Sequence, residues 1–464
     1  MVRETLDFNE TRAGLLIDYI DDTPYVAATL TYGKEFGVRV EVPYIDRSRT
    51  EQFMNAELWF ETANPPTNLA LLTKDGMISL FQCRYSGHSR NIGRHFALGA
   101  ITPREIVMGH WEGNDQDRLA VREFSSQVDG LAEWTRLSAI RQEGESNDEG
   151  RLQRIVITGE SPKGLSWVQG EATMHLGATW STVPDASAIT INDSVTLRTE
   201  FPSPREISDH LMEQRKVVAL LKLNFGTALF FRRHLVRDDS FPDRLLGGRN
   251  VGKSLHELIS RDTFRDYSQK EPSKKSLQSP IFYLPQIPPD GLSRWANSYD
   301  HWKRFIDPAV SGLSRTTALV EDLVLYYSMS LEAAGHILGR AAGEEETYTP
   351  RGRPTTATYA YRCQASLNID WEGIAASPSG LARALANNYN TIKHYDRGHL
   401  PDPMHTYIVG RIAMTIVRLI ATNIVDPSGE LVSQFIQSYA FSSLREDFRL
   451  NGLHIDDGGQ FVNV

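Results

Sequence analysis

The chain is poor in cysteine. Its 464 residues include two, Cys83 and Cys363, far apart in sequence. No Cys-x-x-Cys or His-rich spacing accompanies them, so nothing argues for a zinc site or a disulfide-built secreted scaffold. Two thiols in a reducing compartment is the plain reading. Long apolar runs are missing too. The longest, Ile412 to Val425, is interrupted by Arg418 and falls short of the roughly 20 residues that span a bilayer. The first residues, MVRETLDFNETRAG, lack the apolar stretch of a secretory signal. A cytoplasmic protein with no membrane partner is expected. Nor is the chain basic: its net charge is -9. A general nucleic-acid binder would usually be basic, so any RNA site must be a local patch.

What is present suits a folded chain of two or three domains, with 41% hydrophobic and 23% charged residues. From residue 12 to about 205, short apolar or alternating runs predict strands. They are Ala13 to Tyr19, Tyr25 to Thr31, Val38 to Val42, Leu69 to Leu72, Met77 to Cys83, Ile106 to Met108, Ile155 to Thr158 and Val195 to Thr199. Gly, Pro, Asn and Asp clusters punctuate them. Phe124 to Trp134 reads as a helical interruption, and the polar Arg141 to Arg154 as an exposed loop. His88, His95 and His110 are lone histidines and receive no chemistry. At Ser203 the period changes. Ser203-Pro-Arg-Glu206 looks like a helix start, and a helix is predicted from about Pro204 to Leu223. Residues 224 to 300 read as a mixed subdomain and linker.

Gly247 to Ser254, GGRNVGKS, fits the phosphate-binding pattern G-x-x-x-x-G-K-S. In such a loop the backbone wraps phosphates, here with Gly247 and Gly252. Lys253 would reach them, and Ser254 would hold Mg²⁺. The preceding DDSFPDRLL is poor material for a buried parallel strand, although Leu255 to Ile259 could start a helix. A glycine-containing loop is the preferred reading, with nucleotide binding or NTPase activity as the alternative.

From Leu292 onward the pattern is helical. Expected helices are Leu292 to Phe305, Leu313 to Leu338, one starting at Ser377 or Ser379, Met404 to Val425 and Gly429 to Phe441, with Thr356 to Ile369 as helix or linker. They suggest a bundle. The end, from Asn451, is Gly- and Asp-rich and expected to be loose. The overall expectation is α+β, a β-rich, sandwich-like N-terminal domain (1–205), a helix plus mixed segment (206–300) and an all-α C-terminal domain (301–464).

The stretch Leu381 to Gly398, LARALANNYNTIKHYDRG, is the one that points to chemistry. At about 100° per residue, Arg383, Asn387, Asn390 and His394 fall in one stripe about 60° wide. Leu381, Leu385, Tyr389 and Ile392 fall on another face that can pack. With Gly398 closing the helix, His394 sits in its last turn, where the dipole favours an imidazolium. From Arg383 to Arg418 there are five Lys or Arg (Arg383, Lys393, Arg397, Arg411, Arg418) against two Asp. His394, His399 and His405 add donors. That is a candidate phosphate-binding patch in an acidic chain. A polar surface on an ordinary bundle helix is the bland alternative.

Asn390-Thr-Ile-Lys-His394 resembles the Asn-x-x-x-His end of the active motif in HEPN domains. The layout of the chain is similar to ApeA-like anti-phage proteins, which join a β-rich domain to a C-terminal HEPN domain. The usual HEPN motif has Arg directly before the Asn; this chain has Tyr389 there. The resemblance implies a metal-independent endoribonuclease needing no cofactor, with the β-rich domain as sensor or regulator. His394 would act as general acid or base on a ribose 2′-OH or a leaving oxygen. Asn390 would orient it, and Arg383 or Arg397 would supply the guanidinium. Lys393, Asn387 and Arg411 would hold RNA phosphates, and Glu332 would be an accessory acid. Partners implied are an RNA substrate, tRNA among the candidates, a phage-derived trigger, and a second or further copy of the chain. Arg383 lies about 16 Å from His394 along the helix, so two antiparallel copies would bring one chain's Arg383 to the other's His394. The remaining alternative is a non-catalytic HEPN dimerisation and binding protein.

Overall fold

Alternation of apolar and polar side chains builds the first part of the chain into strands. In Val38–Tyr44 every second residue is buried while Arg39 and Glu41 face outwards. The computed structural model describes residues 5–19, 25–91, 93, 95–113, 117–184, 189–244, 250–252, 254–315, 317–394, 396 and 398–463. The chain divides into two compact units. The first comprises Met1–Asp129, Ser138–Gln214 and Phe230–Glu271; the second comprises Gly130–Leu137, Arg215–Leu229 and Pro272–Val464.

In chain order the elements begin with β1 (Thr11–Asp18), β2 (Val26–Gly33), β3 (Gly37–Ile45) and α1 (Glu51–Glu61). Next come β4 (Leu69–Thr73), β5 (Gly76–Phe81), β6 (Arg84–Asn91), β7 (Phe96–Thr102), β8 (Glu105–Met108) and β9 (Ala120–Val128). After α2 (Leu131–Thr135) the chain forms β10 (Ile140–Ser146), β11 (Leu152–Gly159), β12 (Leu165–Gln169), β13 (Ala172–Pro184) and β14 (Ile189–Glu206). Then follow α3 (Ile207–Phe225), β15 (Phe231–Arg237), β16 (Asp243–Arg244), β17 (Asn250–Gly252), β18 (His256–Ser260) and α4 (Phe264–Tyr267).

One 14-stranded sheet dominates the first unit, in the order β12-β13-β14-β9-β15-β18-β8-β5-β4-β1-β2-β3-β7-β6. Its pairings are antiparallel. A ladder this long curls rather than staying open. The strands from β18 round to β7 bury their side chains in one common core that includes Leu16, Leu30, Val40, Leu71, Ile106 and Ile259. Phe60 of α1 lies over Gly99 of β7, where a Cβ would strike its ring.

Several local expectations give way to this sheet. Ser203 to Glu206 are strand, not helix cap: after a bulge, Arg205 pairs with Val121 and Glu206 with Ala120, and the helix starts at Ile207. Phe124 belongs to β9, with only the five-residue α2 following it. Arg141 to Arg154 form most of the β10–β11 hairpin, whose side chains are almost all exposed, so no periodicity marks it. β15 and β18, from the stretch read as mixed, are internal strands of the sheet.

The second unit contains α5 (Gly291–Leu313), α6 (Val320–Leu338), α7 (Thr356–Leu367), α8 (Pro378–Lys393), α9 (Pro403–Val425), α10 (Glu430–Ile436) and α11 (Tyr439–Asn451). Two short strands, β19 (Leu453–Ile455) and β20 (Phe461–Asn463), close the chain. α6 packs against α5, α7, α8 and α9. Gly335 is needed at the α6–α7 crossing, because a Cβ there would sit 2.4 Å from the Tyr359 carbonyl oxygen. α9 exceeds the apolar run read from sequence. Among the described residues it is the one helix long and apolar enough to cross a membrane, yet 78% of that apolar window is buried inside the fold. The end of the chain is not loose either. β19 and β20 form a hairpin, and Phe461 stacks on His405 of α9 with ring centroids 4.1 Å apart.

A buried ion pair locks the turn between α6 and α7. Glu344, with no exposed surface, accepts from Arg362 Nε at 2.7 Å and Nη2 at 2.8 Å. It also accepts from the Ala341 N–H at 2.8 Å and from the Tyr348 hydroxyl. The Arg362 guanidinium beside it holds this carboxyl at about 2, against an ordinary value of 4.5. Stabilisation from the charge is therefore complete above about 4.5 and is lost as pH falls towards about 2, a difference of roughly 3 kcal/mol. Glu344→Gln should lower stability by about 2–4 kcal/mol at pH 7 in urea unfolding. The gap to wild type should narrow as the pH is lowered through that window. A gap independent of pH would show that the charge is not what holds the turn.

Candidate functional site

α8 starts where the sequence says it can. Ser377 caps it, accepting from the Gly380 N–H at 3.1 Å, and Pro378 takes the first helical position. Leu381, Ala382, Leu385 and Tyr389 are buried. The expected polar stripe faces the other way, with Asn387 exposed and Arg383 and Asn390 partly exposed. The helix ends sooner than expected, at Lys393 rather than just before Gly398. His394 is its C-cap, with extended backbone, an N–H donated to the Asn390 carbonyl at 3.0 Å, and an exposed side chain. It sits just past the last turn rather than inside it.

The hydrogen bonds separate the stripe into two parts. Arg383 is committed: its guanidinium donates to the Asp457 carbonyl in the β19–β20 turn and to the Glu346 carbonyl at 2.5 Å. Gly380 lets that turn approach, since a Cβ would lie 2.4 Å from the Asp456 carbonyl oxygen. Ser377 adds a bond to Asp457 Oδ1 at 2.5 Å. Arg383 is thus an anchor for the start of α8. By contrast, the side chains of Asn387, Asn390 and His394 make no hydrogen bond among the described residues. They stand open to a ligand at the C-terminal end of the helix.

Beneath that face, Tyr389 and Glu332 meet. Tyr389 donates from its hydroxyl to Glu332 Oε2 at 3.4 Å, and Thr356 donates to Glu332 Oε1 at 2.8 Å. Burial raises the Tyr389 phenol above its ordinary value. Lys393 sits 5.1 Å from the Tyr389 ring centroid, and its bond to the Tyr389 hydroxyl raises its pKa. Lys393 therefore stays an ammonium. Glu332 is tied into the packing between α6, α7 and α8 through two hydroxyls.

The wider basic patch does not survive as a patch. Arg411 forms an ion pair with Asp447 and donates to Ser443 at 3.2 Å. Arg418 is partly buried, and desolvation lowers it to about 10. It donates to the carbonyls of Leu223 at 2.8 Å and Asn224 at 2.6 Å, capping the C-terminus of α3. His405 is stacked on Phe461. Arg397 lies outside the described residues. Of the expected stripe, the end of α8 keeps two amides, an ammonium and an imidazole, while Arg383 is bonded to backbone carbonyls elsewhere.

The phosphate-loop reading lacks its setting. Gly247 and Lys253 lie outside the described residues. Gly252 ends β17, paired with Asp243 of β16, and Ser254 is exposed. The residues that follow form strand β18, paired with β15 and β8, where a phosphate loop requires a helix.

One residue was passed over in the sequence. Asn388 is buried, donates to Thr406 Oγ1 at 3.2 Å, and leaves its Oδ1 without a partner. Its position on the packing stripe (Leu381, Leu385, Asn388, Ile392) was the available signal, because an amide there must find a polar partner.

Comparison with known proteins places the chain in a family. Residues 19–297 match the ApeA N-terminal domain 1 model. The chain belongs to the ApeA family, and that membership suggests an anti-phage defence protein. The match ends within α5 and leaves the helices from α6 onwards outside it. No curated protein and no solved structure matches the chain.

The geometry separates a structural arginine from a surface cation. Arg418→Ala should cost about 2–4 kcal/mol, since it strands two buried carbonyls, whereas Lys393→Ala should stay within about 0.5 kcal/mol. Thermal and urea unfolding of the two variants check this. Equal stability of both would contradict the assignment of Arg418 as the α3 cap.

Proposed function

We propose that this ApeA-family protein defends cells against phage by cleaving RNA without a metal, at the C-terminal end of α8. The observation that carries the reading is the trio Asn387, Asn390 and His394, whose side chains have no hydrogen bond among the described residues on a helix where Arg383 and Asn388 are tied down. His394 moves the proton of the ribose 2′-OH or of the leaving 5′-oxygen, a role an imidazole fills near neutral pH. Asn390, one turn away, orients the imidazole or a phosphate oxygen. Lys393, held protonated by Tyr389, offsets the charge that builds on phosphorus. The guanidinium of the usual motif comes from Arg397, or from a second copy of the chain in a homodimer. The β-rich unit is the sensor or regulator, and a phage-derived factor is the trigger.

Two features favour a second reading, in which the helical unit binds and dimerises without catalysis. Tyr389 occupies the position where the HEPN motif has Arg, and it is buried against Glu332. Arg383 is fixed to backbone carbonyls.

Purified protein incubated with total cellular RNA in EDTA separates the two. The nuclease reading predicts cyclic-phosphate ends from wild type and a loss of at least about 100-fold in His394→Ala, with melting temperature unchanged. Asn390→Ala should lose less. Equal cleavage by wild type and His394→Ala would move the chemistry away from α8. Where the free protein is silent, extract from phage-infected cells supplies the trigger, and silence there too favours the binding reading.

A further inference from the structure

The first unit carries an open cleft unrelated to α8. It has a volume of about 530 Å³ and is lined by Glu35, Phe36, Ser86, Thr102, Arg261, Asp262, Phe264 and Arg265. Three pieces of backbone frame it: the β2–β3 turn, the end of β7, and the turn from β18 into α4. The curl of the sheet brings these together, since Phe36, Thr102 and Phe264 also line a small internal gap beside Ile106 and Ile259. The volume is within the range of small-molecule sites.

The charges are unevenly committed. Asp262 is taken by Arg104 at 3.0 Å. Arg261 and Arg265 are exposed, and among the described residues neither guanidinium has an ion pair or a hydrogen bond. Arg265 rests against the Phe264 ring, 5.8 Å from its centroid. The Phe36 side chain is 46% exposed at the rim. In a chain of net charge -9, two guanidiniums without an ion pair among the described residues give this cleft the donors that recognise an anion. The Ser86 and Thr102 hydroxyls can bond phosphate oxygens or sugar hydroxyls. The Phe36 ring offers a stacking surface, and the Glu35 carboxylate can accept from an amino group or a sugar hydroxyl.

We infer that this cleft binds a free nucleoside phosphate, its phosphates on Arg261 and Arg265 and its base against Phe36. The inference stands apart from the RNA-cleavage reading, because it concerns other residues in the other unit. It would give the β-rich unit a small-molecule input.

Calorimetric titration of the full-length protein in EDTA tests it, with the four ribonucleoside triphosphates, adenosine, pyrophosphate and a 5′-phosphorylated RNA oligonucleotide as probes. At least one triphosphate should bind. Its affinity should fall at least tenfold in Arg261→Gln/Arg265→Gln and severalfold in Phe36→Ala, and should not change in Lys253→Ala. Adenosine and pyrophosphate should each bind more weakly than the triphosphate. The inference is overturned by no triphosphate binding up to millimolar concentration, by unchanged affinity in the double variant, or by loss in Lys253→Ala. It is equally overturned if pyrophosphate matches the nucleotide or the oligonucleotide is preferred. Should the double variant melt early, Phe36→Ala and the single Arg265→Gln decide between these outcomes.

Discussion

The ion pair between Glu344 and Arg362 is the interaction on which the candidate site depends. Glu344 is buried and can remain charged there because four donors meet it. Holding that carboxylate fixes the short turn between α6 and α7. The Glu346 carbonyl of that turn then accepts from Arg383, and Arg383 also reaches Asp457 in the terminal hairpin. α8 is thereby fixed at its start by two unrelated segments and along its length by buried Leu381, Leu385 and Tyr389. Among the described residues, no hydrogen bond holds the side chains of Asn387, Asn390 and His394 at its far end. A rigid element presenting uncommitted Asn390 and His394 is the arrangement that positions chemistry. An unconstrained helix would lose that positioning.

Elements fixed by neighbours close in sequence are legible in the sequence. Ser377, Pro378 and the spacing of Leu381, Leu385 and Tyr389 are local signals, and α8 follows them. The alternation in Val38–Tyr44 and the chemistry of the apolar helices likewise announce a β-rich part followed by a helical part. What could not be read depends on partners distant in sequence. Arg418 looks like one of five clustered cations, but its carbonyl acceptors are 195 and 194 residues away. Arg383 and Arg411 are similarly committed to the last part of the chain. Ser203 to Glu206 carry a good helix start and still form strand, because β9 offers them a ladder. The β10–β11 hairpin buries almost nothing and so has no period to detect.

The two units divide the expectations of an anti-phage protein between them. The family match covers the sheet-bearing part of the chain, where the open cleft with Arg261 and Arg265 lies. The helical unit carries the open end of α8. On the nuclease reading proposed above, such an activity needs control, and the cleft in the sheet-bearing unit is where a small-molecule input would enter. The departure at Tyr389 has a physical counterpart. A buried tyrosine bonded to Glu332 fills the place of a cation; on the proposed RNA-cleavage reading, charge for phosphate would come from Lys393, from Arg397 or from a second chain.

The most direct measurement is the plating efficiency of a phage to which the wild-type protein gives protection. It would be made on cells carrying the Asn387→Ala/Asn390→Ala/His394→Ala triple variant, with protein levels checked to be equal. If the open face of α8 is the working site, the triple variant gives no protection. Full protection by a stably accumulated triple variant would contradict the account, and would place the defence function elsewhere in the chain.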